Sequence, residues 1–502
     1  MPHPPCLQRL IATIVVVIAL ATSVVRTTTA QTAGAAVRDP IEGRWLGKVG
    51  FPEDRVDIGL EFKLDEKGEL AVYLYQPVMN FYGLKLGNVK RQDGRYVAPD
   101  VPIDLALTGE KLEGTYFALK APIALERTGN LPAEAQVPDL PASSGPKWQV
   151  KLGGAIYAPA AVRGGVAYVG TTGGMFYAID RRDGAFVWAF AAGRPIFGGA
   201  LATDDHVYFV CDNGYLFKLE RATGKEVWRY DLGDSRVGRV LEHQVVANSG
   251  GFDFDHSSPQ PLLDAGVVYV GSGDGRMHAV DSATGKAVWT FEAKGKIRTD
   301  AVLAGERVVF GTLDGVVYAV ARDGGREIWK KETRAEITAP PALIDGRIIV
   351  GNRGGLLAAL DAATGATVWR MLFWGSAVES TAAPLDGSLF CIGSSDMRRV
   401  SVIDAKDGRV VWRTDVYGWA WPRPAVAGNR IYCSVLGTSP YEIRHQGSLV
   451  ALDRDTGRIV WRWVMPEWPG SLLNGFAASP VVDGDAIIVG GLDGSLYAFR
   501  AV

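Results

Sequence analysis

Eight tryptophans punctuate the chain from its second quarter to its end. Trp148, Trp188, Trp228, Trp289, Trp329, Trp369, Trp412 and Trp461 follow one another at intervals of 40, 40, 61, 40, 40, 43 and 49 residues. Seven of them close the same nine-residue phrase, as in ERATGKEVW (220–228), DSATGKAVW (281–289) and DAATGATVW (361–369). A period near 40 holds four short strands with their turns, which is one blade of a β-propeller. The first unit reads that way: APAAV (158–162), VAYVG (166–170), FYAID (176–180), then the Trp strand. The repeat opens on a Trp strand at 148–150 and ends on LYAFR at 496–500, the third strand of a blade. The first strand is therefore expected to complete the last blade, closing the ring and removing an open sheet edge.

The phrase itself reads as structural. Its leading Asp accepts hydrogen bonds from nearby backbone amides, and its Gly supplies the positive φ of a tight turn. The Trp four residues later buries a large flat ring, expected between neighbouring blades. One copy, ARDGGREIW at 321–329, replaces the leading Asp with Ala321.

The rest of the chain divides into three stretches ahead of this propeller at 148–502. Arg9, an apolar run of 16 residues from Leu10 to Val25, and the small residues Thr28, Thr29 and Ala30 read as an export signal spanning 1–30. The run is shorter than the roughly 20 residues that span a bilayer, so no transmembrane span is expected in the mature chain. Cys6 precedes the run, so it does not serve as a lipid acceptor. Residues 41–128 alternate polar and apolar, with Val56, Ile58, Leu60, Phe62 and Leu64 on one face. They predict a small antiparallel barrel or sandwich of seven to eight strands. Its opening GRWLG (43–47) resembles the first strand of small β accessory domains that precede catalytic domains in some secreted hydrolases. The Pro- and Ala-rich segment 129–147 reads as a linker. The fold class is thus all-β: an eight-bladed propeller of four-stranded blades preceded by a small β domain.

The chain carries a net charge of −2 with no run of like charge, which argues against nucleic acid as a partner. Cys211, Cys391 and Cys433 each sit in an apolar strand and read as buried free thiols. No phosphate loop, CxxC, HExxH or GxSxG motif is present.

The units, VYVGSGDGRMHAVDSATGKAVW at 268–289 most clearly, resemble the repeats of the pyrroloquinoline quinone (PQQ)-like propeller superfamily over about 355 residues. That superfamily includes quinoprotein dehydrogenases and cofactor-free periplasmic assembly-factor propellers. Its alcohol-oxidising members carry adjacent cysteines beside the quinone and a calcium site of acidic residues and Asn. This sequence has no Cys-Cys pair and no motif onto which those calcium ligands transfer. The resemblance therefore implies a periplasmic or secreted binding scaffold for a protein or carbohydrate of the cell envelope. An oxidoreductase holding PQQ and Ca²⁺ in the funnel is the alternative.

Function is expected where the repeat breaks. The largest break, 233–259, enters an innermost strand and carries Asp253, Asp255 and His256, a carboxylate–imidazole group suited to a metal or to proton transfer if it is not simply capping turns. Equivalent junctions hold Arg194, Arg298, Glu336, Glu379, Trp421, Arg423 and Phe476, which either line one mouth of the central channel or, for the charged ones, are solvated loop ends paired with neighbours. Trp419 and Trp421 offer a stacking surface for a ligand. A second break at 437–447 carries Tyr441, Arg444 and His445, candidates for contact with a partner on the opposite face.

Overall fold

A computed structural model describes residues 39–50, 55–98, 103–116, 121–134, 143–236, 258–373, 376–438, 445–466 and 473–502. The chain forms two compact units, with residues 39–134 in the first and the described residues from 143 onward in the second. The export-signal reading falls outside the described residues.

The first unit is one antiparallel sheet of nine strands, one or two more than the alternation predicts. They are β1 (Gly43–Val49), β2 (Val56–Leu64), β3 (Leu70–Gln76), β4 (Phe81–Asn88), β5 (Lys90–Gln92), β6 (Arg95–Ala98), β7 (Ile103–Thr108), β8 (Lys111–Tyr116) and β9 (Ala121–Thr128). The sheet order is β4-β3-β2-β1-β9-β8-β7-β6-β5, so the first and last strands pair and the sheet curls into a nearly closed barrel. Ile58, Leu60 and Phe62 of β2 are buried, whereas Leu64 at its end is exposed. The interior is apolar, so the barrel is filled by its own side chains. Trp45 is fully buried and donates its indole N–H to the Ile41 carbonyl at 2.8 Å. The Arg127 guanidinium lies 4.3 Å over that ring and donates to the carbonyls of Glu42 and Pro40, tying β9 across the start of β1.

The second unit is the propeller. Seven successive sheets of four strands run from 161–191 (blade 1) through 201–231, 262–292, 302–332, 342–372 and 383–415 to 425–464 (blade 7), the last joined by an extra short strand at 473–475. Blade 8 combines the three last strands of the chain with Trp148–Lys151, whose Trp148 pairs with Ala498. The ring is closed by its two ends, as the repeat predicts.

The nine-residue phrase makes the seams. Each turn glycine (184, 224, 285, 325, 365, 408 and 457) has φ between 70° and 78°. At each, an added Cβ would meet the Trp ring of the preceding blade at 2.5–3.0 Å. Glycine is required twice over, by the turn and by the ring lying on it. Each of those indoles then donates its N–H to a carbonyl in the same turn at 2.7–3.2 Å. Trp461 has no such turn ahead of it, because blade 8 is completed by a separate strand; it packs edge-on to Phe499 at 5.6 Å instead. The Ala321 copy keeps the backbone turn, with Gly325 N–H on the Ala321 carbonyl at 2.9 Å, and loses only the carboxylate acceptor. Deeper in the seams apolar rings stack, as Phe176 does on Phe209 at 4.1 Å. Cys211, Cys391 and Cys433 are buried free thiols, and burial raises all three thiol pKa values.

Candidate functional site

The innermost strands enclose a central channel of about 880 Å³. Side chains two residues apart on a strand share a face, so the strands build the channel wall in layers. The outermost layer includes Tyr157, Phe197, Arg298, Thr338, Glu379 and Trp421; the second includes Gln260, Asp300, Thr381, Arg423 and Ser479; the third is apolar, with Ala161, Leu201, Val302, Ala383 and Val481. The channel runs from an aromatic, charged mouth to an apolar end.

The mouth charges are mostly spent on the ring itself. Arg298 is buried and pairs with Asp234 at 2.5 Å, so it braces the entries to blades 3 and 4. Glu379 pairs with Arg353 at 3.3 Å and accepts from the Ser395 hydroxyl at 3.4 Å. Burial pushes the Glu379 carboxyl above its ordinary pKa, with Arg353 and Ser395 pulling it back. Ser395 in turn accepts the Trp421 indole N–H at 2.7 Å. Trp421 stacks on Trp419 at 4.7 Å and 13°. Trp419 is buried, donates to Asp396 at 3.0 Å, and lies 5.1 Å from the His445 ring. Trp421 thus faces the channel while Trp419 forms the wall behind it.

His445 is itself buried, and burial with the nearby Arg398 charge lowers its pKa to about 3. Its contact with Trp419 corrects the expected placement of this loop. The hairpin between second and third strands and the connection from fourth strand to the next blade are separated by two reversals of direction, so they share one face. The first blade shows the same, with Ile196 N–H on the Thr171 carbonyl at 3.1 Å.

Of the other candidates, Arg194 is exposed, and its carbonyl accepts from the Cys211 thiol. Glu336 is partly buried outside the channel lining, and its carbonyl accepts Arg353 N–H at 2.9 Å. Phe476 is fully buried against Trp463 and Tyr497, and the neighbouring Ala477 takes the channel position. Arg423 projects into the channel. Asp253, Asp255, His256, Tyr441 and Arg444 lie outside the described residues. Sequence reasoning missed Tyr157, Phe197, Gln260, Asp300, Thr381 and Ser479. Counting two residues on from each junction would have found Asp300 beyond Arg298 and Thr381 beyond Glu379. Burial holds the Asp300 carboxyl up at about 6, against a Gln260 backbone N–H at 2.7 Å and the charge of Arg423.

Among the described residues no group of three or more His, Cys, Asp or Glu is placed to hold a metal ion. Arg298 and Glu379 are already paired, and Cys391 and Cys433 are separate thiols within blades. The carboxylates of the described channel lining are Asp300 and Glu379, which enter from different blades, and Glu379 is spent on Arg353, so these residues do not assemble a calcium site for a quinone.

Fold and channel together define an eight-bladed propeller of the PQQ-like class. A family model described as outer membrane protein assembly factor BamB matches residues 139–251, 235–320, 313–385 and 353–501, and the chain belongs to that family. The assembly factor BamB of Burkholderia pseudomallei is 25% identical over 350 residues, covering 62% of this chain and 87% of that one. The 1-butanol dehydrogenase (quinone) of Thauera butanivorans is 30% identical over 208 residues, 38% of this chain and 31% of the dehydrogenase. This chain therefore matches only about a third of the dehydrogenase, and the likeness runs further along the assembly factor. Among solved structures, the quinohemoprotein alcohol dehydrogenase of Comamonas testosteroni aligns with a TM-score of 0.52 at 16% identity, covering 71% of this chain and 76% of that one. The computationally designed Ika8 protein aligns with a TM-score of 0.55 at 16% identity, covering 70% and 98%. Both likenesses concern the fold.

Proposed function

We propose that this chain is a periplasmic or secreted binding scaffold whose propeller engages a protein or carbohydrate of the cell envelope through the mouth of its channel. The observation that carries the reading is the stacked Trp419–Trp421 pair, which presents one indole to the channel from a wall fixed by Asp396, Ser395 and His445. A rigid aromatic surface beside an open cavity captures a partner at little entropic cost. Membership of the assembly-factor family supports a protein partner. No helix among the described residues is long and apolar enough to cross a membrane.

The test is crosslinked capture from the parent cell envelope, comparing wild-type chain with Trp421→Ala. A discrete partner retained by the wild type and lost by the variant is expected. Equal retention by both, or no partner at all, would overturn the reading. An oxidoreductase reading draws on the dehydrogenase matches, but the paired charges of the mouth oppose it.

A further inference from the structure

Among the described residues, the second layer of the channel holds two charges with no ion-pair partner. Asp300 enters from blade 4 and Arg423 from blade 7, three blades apart around a ring of eight, so they face the channel from well-separated parts of its wall. Other residues of this layer are uncharged: Pro159, Gln260, Thr381 and Ser479 among them. One oxygen of Asp300 accepts the Gln260 backbone N–H at 2.7 Å, and among the described residues no other group bonds the carboxylate. None of the five guanidinium donors of Arg423 has a described acceptor. Arg423 acts on Asp300 through space, yet no ion pair or hydrogen bond joins them. This contrasts with the layer above, where Arg298 and Glu379 each have an opposite charge in contact. A carboxylate and a guanidinium held apart across a cavity form a negative and a positive pole with a gap between them.

Below the poles the wall is apolar, with Val302, Ala383 and Val481, and above them stand the rings of Tyr157, Phe197 and Trp421. The volume of about 880 Å³ lies in the range of small-molecule sites.

We propose that the channel binds a compact zwitterion with an apolar side chain, a free amino acid or very short peptide. Its ammonium faces Asp300, its carboxylate takes the planar fork of Arg423, and its side chain enters the apolar layer. The inference rests on the reading of the propeller as a binding module and names one ligand class for it.

The test titrates the full chain with the dipeptide Ala-Val, its N-acetyl form and its C-terminal amide, followed by calorimetry. Saturable one-to-one binding of the free dipeptide is expected, weakened about tenfold or more by either block, since each removes one charge-assisted contact. Arg423→Gln should weaken the free and N-acetyl forms alike, with Arg423→Lys restoring part of the loss. Asp300→Asn should abolish the preference for the free amine over the acetylated one. Melting curves of each variant confirm that the fold is kept. Binding that ignores both blocks, responds to only one, or fails to saturate in the millimolar range would overturn the proposal. If the dipeptide fails while envelope capture still depends on Trp421, this inference falls and the scaffold reading stands.

Discussion

The indole N–H of Trp148 donates to the Arg181 carbonyl at 2.9 Å, and its ring lies against Gly184 of the same turn. Trp148 belongs to the strand that completes blade 8, and Arg181 to blade 1, so this contact seals the ring where its two ends meet. The seam uses the same parts as six others, although here the Trp strand comes from the start of the propeller. Trp148→Ala should therefore lower stability by about 2–4 kcal/mol, the cost of deleting a large packed ring. Urea unfolding measures it, and a loss under about 0.5 kcal/mol would show the closure to be unimportant.

Two glycines of blade 5 separate the demands of turn and seam. Gly346 has φ 73° with open space around its Cβ position, whereas Gly365 has φ 72° with the Trp329 ring 2.6 Å away. Gly346→Ala should cost about 1 kcal/mol, the left-handed penalty alone. Gly365→Ala should cost at least about 2 kcal/mol more, because the rigid ring must move. Equal unfolding midpoints for the two variants would contradict the seam account.

His445 sets a pH dependence. Its pKa falls from 6.5 to about 3 in the fold, chiefly through burial and secondarily through the Arg398 charge. Between those values the unfolded chain binds a proton that the native imidazole does not, so stability falls as pH drops through this window. By pH 5 the loss is about 2 kcal/mol. Asp300, raised to about 6 by burial, acts in the opposite sense, stabilising the fold as pH falls from about 6 towards 4. The informative quantity is thus the difference in slope between wild type and His445→Gln, measured by urea unfolding at pH 7.5 and pH 5. The variant should lose less stability on acidification, and identical slopes would contradict the buried neutral imidazole.

The two adjacent indoles of the mouth differ in role. Trp419 is buried and its backbone pairs with Leu436, so Trp419→Ala should cost about 3–5 kcal/mol. Trp421 faces the channel, and Trp421→Ala should cost no more than about 2 kcal/mol while abolishing partner capture. The reverse order of stability losses would place the wall and the binding surface the other way round.

The ring was legible in the sequence because propeller geometry repeats: a period near 40, a turn glycine and a seam tryptophan recur in seven copies, and the third strand at 496–500 predicts closure by Trp148. The channel was less legible because its lining follows a period of two from each junction, and junctions of unequal length shift the count. At the entry to blade 8 that shift buries Phe476 and gives Ala477 the channel position. Charge was visible in Arg298 and Glu379, but its neutralisation by Asp234 and Arg353 comes from other blades and leaves no local mark. Asp300 and Arg423 stand out only once the paired charges are set aside.

The most direct test of a binding channel without a resident quinone is titration of the purified full chain with PQQ in the presence of Ca²⁺. Quinone absorbance of the separated protein is read first, then reduction of an artificial dye on adding a primary alcohol. No retained chromophore and no alcohol-dependent dye reduction are expected. Stoichiometric quinone absorbance with dye reduction would contradict this and make the channel a redox site.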